Sequence, residues 1–262
     1  MGDVVIDTGT GAPIVLIPGI QGRWEWLSPT IDAFVQRGYR VLSFSLSDVP
    51  AGSPETDLFE AWTGTIDRLL DDAGVARATV IGVSFGGVIA VHYAAHRANR
   101  VTGLVLVSSP PPGWRPDPRR AAYLKRPRLM LPVFALRASR TLFREVWRAR
   151  PSWTSRLRFT VEYGRRALTA PVSPKQMAEW VRAFLAIDVA KACRAVTAPT
   201  LVVTGEPGLD QVVPVETTLK YVELIDGARH VVLPNTGHVG VVSTPERFAE
   251  IVDHALETTR RD

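Results

Sequence analysis

The sequence predicts an α/β fold, a mostly parallel sheet covered by helices on both faces, with one helical excursion between two of its strands. Three observations carry that expectation. Short apolar runs alternate with stretches of helical periodicity, the rhythm of βαβ units whose strands are buried on both faces. The rhythm stops at Pro110-Pro111-Pro112-Gly113 and resumes only at Thr200. Between the third run and its helix lies Gly82-Val83-Ser84-Phe85-Gly86, small residues where a strand turns sharply into a helix.

Taken in order, Ile14-Val15-Leu16-Ile17 reads as a buried strand stopped by Pro18-Gly19. Glu25 to Gln36 has apolar residues at helical spacing and ends at Gly38, a C-cap signal. Tyr39 to Phe44 is a second strand, followed by a Pro/Gly/Ser loop through Pro54 and a helix from about Glu55 to Asp72. Ala78 to Val83 is the third strand, running into Ser84-Phe85-Gly86-Gly87 and a helix to about Ala98, then a strand at Thr102–Val107. From Gly113 to about Ala186 no run reads as a strand, and Arg-rich amphipathic segments are punctuated by prolines. Thr200–Gly205 restores the strand pattern, with a helix near Val215–Leu224, a strand at His230–Leu233, and a last helix with Thr244 as its N-cap and Pro245 at its first position.

A chain of 262 residues, 46% hydrophobic and 22% charged, suits one large domain with a sizeable core. No apolar run is long enough to cross a bilayer, and the N-terminus lacks the basic region and cleavage site of a signal peptide. The single cysteine, Cys193, leaves no internal disulfide and no thiolate cluster for zinc, so a cytoplasmic location is expected. The net charge of +5 is unevenly spread. Residues 113–186 hold 17 of the 31 Lys and Arg residues and 4 of the 26 acidic ones, so the rest of the chain is net acidic.

The chemistry begins at Ser84. Gly82 and Gly86 give strand and helix room to approach, and the helix N-terminus aims free N–H groups at the place where an oxyanion forms. A serine needs a base, and the base a third group that holds its tautomer. His238, in Pro234-Asn235-Thr236-Gly237-His238, follows the last strand, at the sheet edge where catalytic groups collect. His92 and His96 fall within a helix, His230 begins a strand and His254 lies in the final helix, so these read as surface or core histidines. The acid belongs after the Thr200–Thr204 strand, where Asp210 precedes Val212-Val213-Pro214 and Glu206 is the fallback. Asp188 and Asp226 read as solvated helix residues. Oxyanion donors are expected from the backbone N–H of Phe85 and, in the Pro18–Gly22 loop, of Ile20. Trp24 and Trp26 are candidate pocket walls, although tryptophans are more often packing residues.

These residues resemble the α/β-hydrolase superfamily over nearly the whole chain, from the Pro18-Gly19 loop and the Gly82–Gly86 elbow to Asp210-Gln211-Val212-Val213-Pro214 and Gly237-His238. The resemblance implies a three-layer α/β/α sandwich around a mainly parallel eight-stranded sheet, a Ser–Asp–His triad, no metal or cofactor, and a helical cap inserted after the sixth strand. The core is then expected at 1–112 and 187–262, with the cap at 113–186. The chain departs from the common pattern in reading Ile17-Pro18-Gly19 in place of a His-Gly form, in carrying Ser45 where many relatives have Asp, and in two extra residues between Gly205 and Asp210.

Ser84 excludes the relatives that use an aspartate nucleophile. The expected activity is hydrolysis of a carboxyl ester of a small molecule. Carbon–carbon bond hydrolysis, lactone hydrolysis, cofactor-free haloperoxidation, acyl transfer and non-hydrolytic ligand binding are the competing readings. In the basic segment, Leu129, Met130, Leu131, Val133, Phe134, Leu142, Phe143, Val146 and Trp147 interleave with arginines. This reads first as a cap whose arginine stems snorkel over its outside. Docking on a membrane surface and steering of an anionic substrate are less favoured, and no motif for nucleic-acid binding accompanies the charge.

Overall fold

A computed structural model describes residues 5–49, 57–116, 118–125, 145–147 and 152–261. Seven strands form one sheet among the described residues, where the resemblance implies eight. They are β1 (Val5–Thr8), β2 (Pro13–Ile17), β3 (Arg40–Phe44), β4 (Ala78–Val83), β5 (Val101–Val107), β6 (Thr200–Thr204) and β7 (Arg229–Val232), in the spatial order β1-β3-β2-β4-β5-β6-β7. All neighbours are parallel except β1, which pairs antiparallel with β3 at the edge. β1 is mostly exposed and its apolar part is only Val5-Ile6, too short for periodicity to mark it as a strand.

The strands are buried on both sides, and their alternating side chains feed two cores. Val15, Ile17, Val80, Leu104 and Leu106 face one, with α2 (Asp57–Asp72), α3 (Phe85–His96) and α7 (Val189–Ala195) packed over them. Ile14, Leu16, Ile81, Val105 and Val107 face the other, under α1 (Ser28–Gln36) and the last helix, Pro245–Arg261. The period of two therefore builds a three-layer α/β/α sandwich.

Three local expectations shift. The first predicted helix divides into a 3-10 turn, Trp24–Leu27, and α1, because Pro29 lies in the first turn of α1 and lacks an N–H. Asp188 is not merely solvated: its carboxylate caps α7 by accepting from the Lys191 N–H at 2.9 Å. Pro245 opens the last helix directly after Thr244, as expected, but the Thr244 hydroxyl donates back to the Gly240 carbonyl at 3.0 Å, within the short helix Gly240–Ser243 and its C-cap.

Between β5 and β6 the described residues are helical or irregular: α4 (Pro118–Lys125), a helical turn at 145–147, α5 (Trp153–Thr169), α6 (Pro174–Ala186) and α7. Val146 and Trp147 belong to that turn. Leu129, Met130, Leu131, Val133, Phe134, Leu142 and Phe143 lie outside the described residues. The chain leaves β2 for β3 on one side and crosses back to β4 on the other. A crevice therefore opens at the carboxyl ends of β2 and β4. No helix among the described residues is long and apolar enough to cross a membrane.

Candidate active site

Ser84 lies in that crevice, between β4 and α3, with φ at 52° and ψ at −120°. This left-handed backbone costs a non-glycine residue about 1–3 kcal/mol, so the surroundings must enforce it. Its N–H donates to the Val107 carbonyl at 2.7 Å, continuing the β4–β5 ladder, and its carbonyl accepts from Gly87 at 2.9 Å, opening the helix. Gly86 lets α3 press onto the first loop, since a Cβ there would stand 2.5 Å from the carbonyl oxygens of Ile17 and Pro18.

His238 Nε2 stands 3.1 Å from Ser84 Oγ, and its Nδ1 stands 3.1 Å from Asp210 Oδ2. Asp210 follows β6, and its side chain is 1% exposed. Its second oxygen accepts from the N–H groups of Val212 at 3.0 Å and Val213 at 2.9 Å. Burial pushes this carboxyl up. The charge and hydrogen bond of His238, with bonds from Val213 N–H and the Ser108 hydroxyl, outweigh burial and hold it below its ordinary value. With the acid ionised, Nδ1 carries the proton and Nε2 keeps a lone pair for the serine hydroxyl.

Glu206 does not enter this relay. Its carboxylate accepts from the Asn235 N–H at 2.8 Å, and its own N–H donates to the Thr236 carbonyl at 2.8 Å. It braces the turn that carries His238, in which Asn235 adopts a φ of 57°. Gly237 is required for a different reason: a Cβ there would meet the Leu209 carbonyl at 2.5 Å and the Glu145 carboxyl carbon at 2.6 Å. His238 can therefore sit against both the Asp210 loop and the helical segment that carries Glu145.

The Pro18–Gly22 loop borders Ser84. A Cβ on Gly19 would lie 3.4 Å from Ser84 Cβ, and Gly22 N–H closes the loop onto the Gly19 carbonyl at 2.8 Å. Ile20, in this loop, is partly buried against the core, and Phe85 is buried at the start of α3. The two tryptophans named as candidate pocket walls lie just after this loop. Trp26 donates its indole N–H to the Ala170 carbonyl at 3.2 Å and meets Tyr163 edge-on at 4.9 Å, tying the loop to the insertion. Trp24 packs partly buried against the α1 side of the sheet.

Sequence reasoning passed over several residues here. Ser108, at the end of β5, has a φ of 43° and its hydroxyl supports Asp210; the strand-end rule that found His238 reaches it as well. Glu145 is a lone acid in an arginine-rich stretch, and that contrast was its signal. It is 5% exposed and accepts from the Val239 N–H at 2.8 Å. Burial raises its carboxyl above the ordinary value, against the lowering effect of the Val239 and His238 N–H groups and of the His238 charge. Trp180 and Phe184, one turn apart on α6, close over Phe85, Trp180 stacked at 6.4 Å and Phe184 edge-on at 6.4 Å. Their i, i+4 spacing was visible, but the surface it would meet was not.

The sequence profile of the alpha/beta hydrolase family matches residues 14–251. The chain is 30% identical to a 2-hydroxy-6-oxononadienedioate/2-hydroxy-6-oxononatrienedioate hydrolase of Burkholderia vietnamiensis, over 97% of this chain and 90% of that protein. It is 25% identical to the putative non-heme bromoperoxidase BpoC of Mycobacterium tuberculosis, over 92% of each. Among solved structures, an esterase from Exiguobacterium antarcticum superposes with a TM-score of 0.73 at 21% identity, covering 97% of this chain and 94% of that one.

Proposed function

The chain belongs to the alpha/beta hydrolase family, and from that premise we propose that it is a serine hydrolase that cleaves a carboxyl ester through Ser84, His238 and Asp210. The observation that carries the reading is the unbroken relay at 3.1 Å and 3.1 Å from Ser84 Oγ through the imidazole to Asp210. His238 Nε2 accepts the Ser84 proton as Oγ attacks the ester carbonyl. The oxyanion takes hydrogen bonds from the N–H groups of Phe85 and Ile20. The imidazolium then gives its proton to the departing alkoxide, leaving an acyl-enzyme. Water, deprotonated by the same nitrogen, releases the acid and restores Ser84. Asp210 stabilises the imidazolium in both halves and stays ionised.

Residues 113–186 act in this reading as a cap over the crevice. Glu145 and Trp180 support that role by touching the His238 loop and Phe85. A second reading, carbon–carbon bond hydrolysis, rests on the 30% identity to a relative named for that class of substrate.

A panel of p-nitrophenyl esters of graded acyl length, run beside a vinylogous 1,5-diketone, separates the two. Ester turnover that disappears in Ser84→Ala supports the first reading. Full esterase activity in Ser84→Ala refutes it, and turnover of the diketone alone transfers the triad to the second.

A further inference from the structure

Helix α5 buries one face and exposes another that is also apolar. Phe159 is buried and stacks on Tyr163 at 4.7 Å, Tyr163 meets Trp26 edge-on, and Arg166 is buried, so these residues mark the inward side. On the outward side Trp153 is 69% exposed, Leu157 48%, Val161 63% and Leu168 84%. At 100° per residue the four fall within about 80° of arc, a single stripe along the helix. The exposed Arg158 and Arg165 lie within about 60° of its edge. Glu162, the one acid of the helix, is on the other side and paired with Arg166.

Isolated exposed leucines are ordinary, but four large apolar groups in line, flanked by guanidinium groups, are not. We propose that this outward face of α5 docks on the surface of an anionic lipid bilayer. The apolar stripe would enter the boundary between headgroups and acyl chains, and Arg158 and Arg165 would reach lipid phosphates. Charge selects this occupant. Residues 113–186 carry 17 basic and 4 acidic residues, while the rest of the chain is net acidic. A second copy of the chain meeting this face about a two-fold axis would oppose arginine with arginine. Trp147, 51% exposed with the Arg156 guanidinium 4.2 Å over its ring, extends the surface beyond the start of the helix. Because α5 rests on Trp26, just past the loop beside Ser84, docking holds the crevice mouth near the lipid. The surface is independent of the bond that Ser84 attacks.

The test is co-sedimentation of the purified full chain with vesicles of phosphatidylglycerol and phosphatidylcholine, against vesicles of phosphatidylcholine alone. Wild type is expected to pellet with the anionic vesicles and to be released by salt, and Ser84→Ala is expected to pellet equally. Arg158→Glu with Arg165→Glu should lower partitioning about 25-fold or more, since each arginine near such a surface contributes about fivefold. Leu157→Ser, Val161→Ser and Leu168→Ser together should lower it about tenfold or more. Both variants should keep the wild-type melting temperature and turnover of a soluble ester. Absence of pelleting at low salt, or equal pelleting of both variants, overturns the proposal. So does a concentration-dependent dimer that the serine variant dissolves, seen without vesicle binding.

Discussion

Replacing Asp210 with asparagine keeps the volume of the side chain and removes its charge. The carboxylate it replaces is 1% exposed, accepts two backbone N–H groups on one oxygen and faces His238 Nδ1 with the other. Asparagine can satisfy the Val212 and Val213 N–H groups with its carbonyl, which turns its NH2 toward Nδ1. Nδ1 must then accept, the ring proton moves to Nε2, and the nitrogen facing Ser84 Oγ at 3.1 Å becomes a donor that cannot take the serine proton. The loss of the correct tautomer, together with the loss of charge opposite the imidazolium, is expected to lower kcat about 10,000-fold, or about 5 kcal/mol, with KM little changed. Steady-state hydrolysis of a p-nitrophenyl ester reads this, and a urea melt checks that the fold persists. Glu206→Ala is the control: it removes a bond to the Asn235 N–H and should cost about 1 kcal/mol of stability, with kcat within a fewfold of wild type. If Asp210→Asn keeps kcat within about tenfold, or Glu206→Ala loses as much as Asp210→Asn, the tautomer argument fails.

The two buried acids beside His238 respond to pH with opposite sign. Asp210 is held below its ordinary value of 3.8, so its contribution to stability is present above that pH and is lost as pH falls through its folded value. Glu145 is raised above 4.5, so its contribution is full below that pH and is lost as pH rises through its folded value. Glu145→Gln should therefore flatten the loss above pH 4.5 and leave the acid limb intact, as read by melting temperature against pH; an unchanged profile above pH 4.5 would contradict the assignment. Gly86→Ala should destabilise by about 1–3 kcal/mol in a urea melt, because the neighbours of its Cβ are the carbonyl oxygens of Ile17 and Pro18, which cannot rotate away as a side chain would. Stability equal to wild type would mean that the loop yields.

What could be read along the chain was whatever is local. Six of the seven strands announce themselves as apolar runs, and Ser84 as a serine between glycines at a strand-to-helix turn. His238 followed from a rule about strand ends, which holds because parallel strands deliver their carboxyl-end loops to one edge of a sheet. β1 was missed because an edge strand need not be apolar, and a second candidate acid stayed open because Glu206 and Asp210 share one loop.

The amino-acid sequence by itself determined the α/β architecture and set Ser84 at a strand-to-helix turn, with Asp210 and His238 after later strands, since these depend on periodicity and on turn chemistry within a few residues. Only the tertiary structure decided which carboxylate meets His238, that Glu145 and Trp180 from distant helices close on the site, and that Trp26 clasps α5. It also showed that α5 has two apolar faces with different fates. Periodicity counts apolar residues around a helix, but which of them finds a partner is settled by contacts between segments far apart in the chain.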